Sequence, residues 1–409
     1  MGGAGFISSG TGALVIGQDA QIDFDNAAAS NRTLTLGGTT DIAVENIFNP
    51  KKFDAADITN LFTKLVKQDV NKWVVLGAGA GFVDADTTEM NVDGGELDFA
   101  MGSLGSKSKI NVGSATLGWY NGNTEDVSGR IYLNSAATAA FNIPSGTVTL
   151  ASALNGGAAT TASLTKLGNG TLQLGAANNF SGGLNISAGT VKATTTGAVG
   201  SGTVSVSRNA TFVVNAVLAN KISVSSGGTL AGNGTDDDAT VEEGGVLSPN
   251  ADNVGMISFN KLTLNGGSHV KWQLNDATGA AGIGYDSLVV SVINLNNASS
   301  SKKIHVDVTS TGSFLHFDKT KVNKFEFAKL TTALANGVNV TDLFSIDASQ
   351  FETDNNLIND HLVWSMQLSA DRDVMYVTTM IPEPSTYGLG LSALALAVVA
   401  VRRRKKKNN

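Results

Sequence analysis

Cysteine is absent from this 409-residue chain. That excludes disulfide staples, thiol nucleophiles and thiolate metal sites. Proline occurs only 5 times, so few turns are held by a fixed ring. Charge is scarce as well: Asp, Glu, Lys and Arg together make up 15%, well below the usual quarter or so. Such a composition does not suit a helical enzyme. With 42% hydrophobic residues it is also too apolar for a disordered chain. What is plentiful is glycine, 47 residues, with much Thr, Ser, Asn, Ala and Val. Many short strands joined by tight turns would use those residues.

The formal net charge of −7 hides an asymmetry. Arg402, Arg403, Arg404, Lys405, Lys406 and Lys407 form one basic run, leaving 22 basic against 35 acidic residues elsewhere. A body that acidic repels phosphate, which argues against a nucleic-acid partner.

Alternating runs recur along the chain, each bounded by Gly, Asn or Ser. They include Leu34 to Gly38, Met90 to Phe99 with Gly94-Gly95 between its halves, Thr147 to Leu150, Thr171 to Leu174 and Thr203 to Val206. Alternation turns Val, Leu and Ile to one side and Thr, Ser and Asn to the other. A phrase of Gly, Thr and then Val or Leu starts at Gly146, Gly170, Gly189, Gly202 and Gly228, at spacings of 24, 19, 13 and 26. Loose periodicity of that kind predicts an all-β solenoid whose coils differ in length. A β-sandwich with irregular hairpins is the competing fold.

One segment, Asp54 to Lys72, departs from the alternation. Ile58, Leu61, Phe62, Leu65 and Val66 fall on one face of a helix, and Asp54 or Asp57 can cap it, so a short helical insertion is expected. From Leu288 onward Lys and aromatics increase, as in Lys321 to Leu330, and this stretch is read as a β cap. The expected organisation is an N-terminal β region over 1–80, a solenoid over 81–300, a cap over 301–380 and a tail over 381–409.

Reactive constellations are few. His269, His305, His316 and His361 show no paired spacing and no HExxH, and read as surface or structural residues. Gly77 to Gly81 lacks the GxGxxG pattern and reads as a turn. Asp236-Asp237-Asp238 and Glu242-Glu243 are the densest acids. Following Gly232 to Thr235, they read as a solvated loop, with a Ca²⁺ site as the alternative. No catalytic residue, cofactor or metal set is assigned.

The tail is more specific. Pro382-Glu383-Pro384 precedes an apolar stretch from Tyr387 to Val401, and the basic run follows at once. As a helix the stretch is roughly 22 Å long at about 1.5 Å per residue, short of a ~30 Å hydrocarbon core. Snorkelling Arg and Lys would help it span a thin bilayer, with the cations acting as a stop-transfer signal on the cytoplasmic side. This tail resembles the PEP-CTERM sorting signal. The resemblance implies an exosortase-type processing enzyme as partner, a single transmembrane helix, and an inner-membrane precursor with a mature form at the surface. The export reading expects a leader ahead of Met1, because the first residues have neither a basic start nor an apolar run.

Ser163 to Val191 carries a second resemblance. Leu164, Lys166, Gly168, Gly170, Thr171, Leu172, Leu174, Asn179, Phe180, Ser181, Gly182, Gly183, Gly189 and Thr190 resemble the autotransporter-associated β-strand repeat. Stretches at Gly228 to Gly234, Gly244 to Asn250 and Gly284 to Leu288 are similar to it. The resemblance implies a right-handed parallel β-helix of the passenger type. The tail occupies the place of the family's C-terminal membrane barrel, so translocation through a barrel of its own is not expected. Together these features predict an exported, non-enzymatic structural or adhesive protein of the cell surface or extracellular matrix, whose hydroxyl-lined face binds glycan or another envelope polymer. A polysaccharide-active β-helix enzyme and a fragment of an autotransporter passenger are the rival readings.

Overall fold

Thr-Val-Thr-Leu and similar four-residue runs form strands because β-branched and aliphatic side chains pack well on a pleated surface, and a glycine such as Gly146 or Gly170 turns the chain into the run. The computed structural model describes residues 3–16, 33–41, 45–48, 64–76, 89–106, 108–312, 314–318 and 321–381. Among them lie three sheets, of 6, 16 and 9 strands. Consecutive strands go to different sheets, and each pairs in parallel with the strand one coil further on. The chain therefore winds as a β-solenoid.

The sixteen-stranded sheet runs nearly the whole described length, from Val15–Ile16 to the closing strands. The six-stranded sheet accompanies it from Gly3–Ser8 to Ile131–Leu133, and the nine-stranded sheet takes over from Thr147–Leu150 to Phe344–Asp347. A single coil supplies all three, through Ile131–Leu133, Thr138–Asn142 and Thr147–Leu150. In the sixteen-stranded sheet parallel order stops after Asn323–Leu330. That strand pairs antiparallel with Val374–Met380, which pairs antiparallel with Val363–Leu368.

The interior is built from stacked columns. Val148, Leu172, Val191, Phe212, Leu230, Leu247, Val270 and Val306 follow one another in register along the nine-stranded sheet, and all are fully buried. Each such side chain contributes about 1.5–3 kcal/mol on burial. Aromatic rings fill the wider coils: Phe99, Trp119 and Phe141 stand 5.2 and 5.5 Å apart between successive centroids. On the outer side Thr147, Thr171, Thr190, Thr211 and Thr229 make a matching column of hydroxyls.

The expected helix over Asp54 to Lys72 is overturned where it is described. Lys64–Lys67 is a strand of the six-stranded sheet, and Lys72 opens the strand Lys72–Val75. Leu65 and Lys67 both point inward and are buried. A lysine at an inward position hides the period of two and leaves a spacing that mimics a helix. Asp54 to Thr63 lie outside the described residues, as do Gly77 to Gly81 and the tail from Pro382. Among the described residues no helix is long and apolar enough to cross a membrane. Those present are short, such as Val340–Leu343 and Ser349–Asp354.

Candidate functional site

The repeat found in the sequence forms one corner of the solenoid. Ser163–Leu167 lies in the sixteen-stranded sheet and Thr171–Leu174 in the nine-stranded sheet. Leu164, Leu172 and Leu174 face the core, and Thr171 is half-buried on the outside. Gly168 has φ +75° at the turn. A Cβ on Gly170 would come 2.7 Å from Ile143 Cγ2, so the turn needs bare backbone there. Lys166 is fully buried, and its ammonium donates to Leu167 O at 2.7 Å, Gly168 O at 2.8 Å and Ala188 O at 3.4 Å. Burial pushes its pKa down to about 8.

The second half of the repeat holds the opposite side of the coil. Phe180 is buried, while Asn179 and Ser181 are exposed. Asn179 Nδ2 donates to Gly157 O on the preceding coil, and Ser181 N donates to Thr160 O at 2.9 Å. Gly182 packs on the previous coil, where a Cβ would lie 2.6 Å from Ala162 O, and Gly183 meets Thr203 O of the next. The neighbour Asn178, which the sequence reading passed over, is the stronger tie. It is buried, accepts from Leu154 N at 2.8 Å and donates to Ala198 O at 2.6 Å, so one side chain joins three coils.

Of the acids Asp236, Asp237, Asp238, Glu242 and Glu243, only Glu242 and Glu243 lie in an exposed turn, between the strands Thr235–Val241 and Val246–Pro249. Asp236, Asp237 and Asp238 lie in the strand Thr235–Val241, which corrects the solvated-loop expectation. Asp237 pairs with Asn260, Asp238 with Lys261, Glu242 with Asn265 and Glu243 with Lys302. These four acids thus meet an amide or ammonium on the next coil or, for Glu243, two coils on, and they do not converge. Asp236 is fully buried, with no hydrogen-bonding donor at either oxygen. Burial is the main cause that pushes its carboxyl up to about 7, and the charges of Asp237 and Asp238 add to the rise. Asp286, in the Gly284 to Leu288 stretch, is also buried. It accepts from Gly255 N at 2.7 Å and Gln273 N at 2.8 Å, and burial still pushes it up to about 8.

A denser cluster lies on the outer side of the sixteen-stranded sheet. Lys72 Nζ is 2.8 Å from Asp98, 3.3 Å from Glu45 and 3.4 Å from Glu96. Burial opposes the ammonium charge, but Asp98, Glu96 and Glu45 outweigh it and raise the pKa. Asp98 moves up to about 7 through burial and the adjoining Glu96 carboxyl, with Lys72 pulling the other way. Asn142 Nδ2 donates to Glu96 Oε1 at 2.8 Å. Among the described residues no group of three or more His, Asp or Glu is arranged to hold a metal ion.

Residues 164–193 match the passenger-associated-transport-repeat family. Residues 381–405 match the PEP-CTERM protein-sorting motif. The chain carries both signatures. No curated protein matches it. The sorting motif marks an exported, envelope-associated protein and is a signal for exosortase processing; the repeat is of the autotransporter passenger kind.

With the passenger repeat located, a second copy of its corner is visible far outside the matched residues. Lys67 is buried as Lys166 is, and donates to Gln68 O at 2.6 Å, Asp69 O at 3.1 Å and Gly94 O at 2.9 Å. Asp69, at φ +64°, takes the left-handed turn position that Gly168 fills in the matched copy. Lys-Leu-Val-Lys followed by Trp73 is the only trace in sequence. The residues of the sorting motif, Pro382, Glu383 and Pro384, and the basic run Arg402 to Lys407 lie outside the described residues.

Proposed function

We propose that this is a non-enzymatic structural or adhesive protein of the cell surface or extracellular matrix, built as a right-handed β-helix and released from the inner membrane by an exosortase-type enzyme. The observation that carries the reading is the junction at residue 381. The strand Val374–Met380 is the last in sequence and is held between Asn323–Leu330 and Val363–Leu368 in the sixteen-stranded sheet, and the sorting motif begins with the next residue. Cleavage in the tail would remove the address and leave the closing strands intact. Tyr387 to Val401 holds the precursor in the membrane, with Arg402 to Lys407 on the cytoplasmic side. Right-handed winding follows the twist preference of parallel crossovers.

The surface role rests on the outer columns. Thr147 to Thr229 present hydroxyls in register on the nine-stranded sheet, a neutral face suited to glycan or another uncharged envelope polymer. The rival enzymatic reading would draw on Glu96 and Asp98, two acids that adjoin beside Lys72. Asp98 is only 2% exposed and is held by Lys72, so a polymer would not reach it. Mass spectrometry of the C-terminal peptide from the native host tests the main reading. Loss of Tyr387 to Asn409 is expected, and an intact Asn409 on surface-exposed protein would overturn processing. Incubation with neutral and acidic polysaccharides tests the other half: binding without chain shortening is expected, and shortening abolished by Glu96→Gln would favour the enzyme.

A further inference from the structure

His269 and His305 are 36 positions apart in the sequence, yet they are register partners on adjacent strands of the nine-stranded sheet. Both belong to the outward column that continues the threonines, after Val246. Their rings stack at 4.7 Å between centroids with 18° between planes. The side chain of His269 is 37% exposed and His305 is half-buried, so the stack meets solvent.

The ring nitrogens are not equivalent. His269 Nδ1 lies 2.9 Å from Asp307 Oδ2. A carboxylate only accepts, so that contact keeps the proton on Nδ1 and leaves a lone pair on Nε2. His305 Nδ1 lies 3.0 Å from Ser345 Oγ, which can take the same proton. An imidazole oriented through one nitrogen by a carboxylate or hydroxyl, with the other nitrogen free, is the arrangement found behind metal ligands. Asp307 and Asp347 occupy the neighbouring outward column beyond Lys271 and add negative charge beside the pair.

We propose that His269 and His305 form a two-nitrogen site for a divalent transition-metal ion of the Zn²⁺ class on the outer face of the nine-stranded sheet. Nitrogen ligands lie about 2.0–2.1 Å from zinc, which puts two of them roughly 3.3 Å apart in tetrahedral geometry. Stacked rings aim their in-plane lone pairs nearly parallel, so binding unstacks the pair: both rings turn about their side-chain bonds until the two Nε2 atoms converge on the ion. Among the described residues no third His, Asp or Glu closes the set. Water, or a donor from a second molecule, completes the coordination, so the site is open and able to bridge. Imidazole nitrogen selects Zn²⁺, Cu²⁺ or Ni²⁺ over Mg²⁺ and Ca²⁺.

Calorimetric titration of the full chain with Zn²⁺ alone tests this, with Mg²⁺ as the control ion. Saturable binding of one Zn²⁺ per chain, or one per two chains, is expected. His269→Ala and His305→Ala should each weaken it at least about tenfold, and Asp307→Asn by about 10–100-fold, as loss of an orienting partner does. His316→Ala and His361→Ala should leave it unchanged. Circular dichroism of each variant without metal guards against misfolding. Absence of saturable Zn²⁺ binding, or binding that survives loss of both His269 and His305, would overturn the proposal.

Discussion

Lys67 and Lys166 place their ammonium groups in equivalent cages of three carbonyls, although one lies in the six-stranded sheet and the other in the sixteen-stranded sheet. Each cage is made of the next two residues of the turn and one residue of the following coil. The lysine thus supplies donors where a tight corner turns carbonyls inward, and it links neighbouring coils. A buried donor lost from such a cage leaves acceptors without partners, at about 1–3 kcal/mol. Lys166→Met should therefore lower stability by that amount in denaturant unfolding. The gap should depend on pH. Both lysines have folded pKa values near 8, below the ordinary 10.5. Between those values the unfolded chain holds more protons, so stability rises with pH. The wild type should gain relative to the Lys67→Met, Lys166→Met double variant from about pH 8 to 10.5, and parallel curves would refute the caged-ammonium account.

Leu172 and Thr171 are neighbours with opposite roles: the first is fully buried in the central column, the second half-buried on the outer face. Leu172→Ala should cost about 2–5 kcal/mol. Thr171→Ala should cost well under half of that, since it leaves no cavity. Equal small losses in a chemical denaturation series would mean that the register is wrong.

Much of the parallel solenoid was legible because its determinants are local. Gly146, Gly170, Gly189 and Gly228 lead into the nine-stranded sheet, and their alternating strands revealed its inward set. The uneven spacings of 13 and 26 have a physical cause. Gly202 leads into Val204–Val206 of the sixteen-stranded sheet, and the coil in between enters through Asn209 rather than a Gly-Thr phrase. What stayed hidden depends on coil length. His269 meets His305 only because the intervening coil closes in register, and no spacing rule announces that. Lys67 was misread as part of a helix because polar residues are assumed to face outward. Asp236 was assigned to a loop because Gly232 to Thr235 precede it; its strand buries Asp236, Ala239 and Val241, a spacing that strict alternation does not announce.

Asp236 gives a pH prediction of opposite sign. Its folded pKa is about 7, raised from 3.8 by burial. Between those values the folded chain holds the extra proton, so its contribution to stability falls as pH rises from about 4 to about 7, and is constant above. Asp236→Asn keeps the shape and cannot ionise. Its melting temperature should match the wild type near pH 4 and exceed it near pH 8. A difference that does not change with pH would show that Asp236 is not protonated in the folded chain.

Gly118 and Asp98 provide a test of the charged cluster by coupling. They are register partners on adjacent strands. A Cβ on Gly118 would fall 1.7 Å from Asp98 Oδ1, closer than any packing allows. The carboxyl therefore lies over bare backbone, in position for its 2.8 Å contact with Lys72. Gly118→Ala must displace Asp98 and break that contact, at about 1–3 kcal/mol for overpacking. In an Asp98→Ala background the same change has no carboxyl to displace and should cost far less. The two substitutions should therefore be non-additive by about 0.5–3 kcal/mol, the range for residues in contact. The measurement is a double-mutant cycle by urea unfolding of the four proteins. Additivity within roughly 0.3–0.5 kcal/mol, as for independent sites, would mean that Asp98 does not occupy the space above Gly118, and that the link from Asp98 to Lys72 contributes little to holding these coils together.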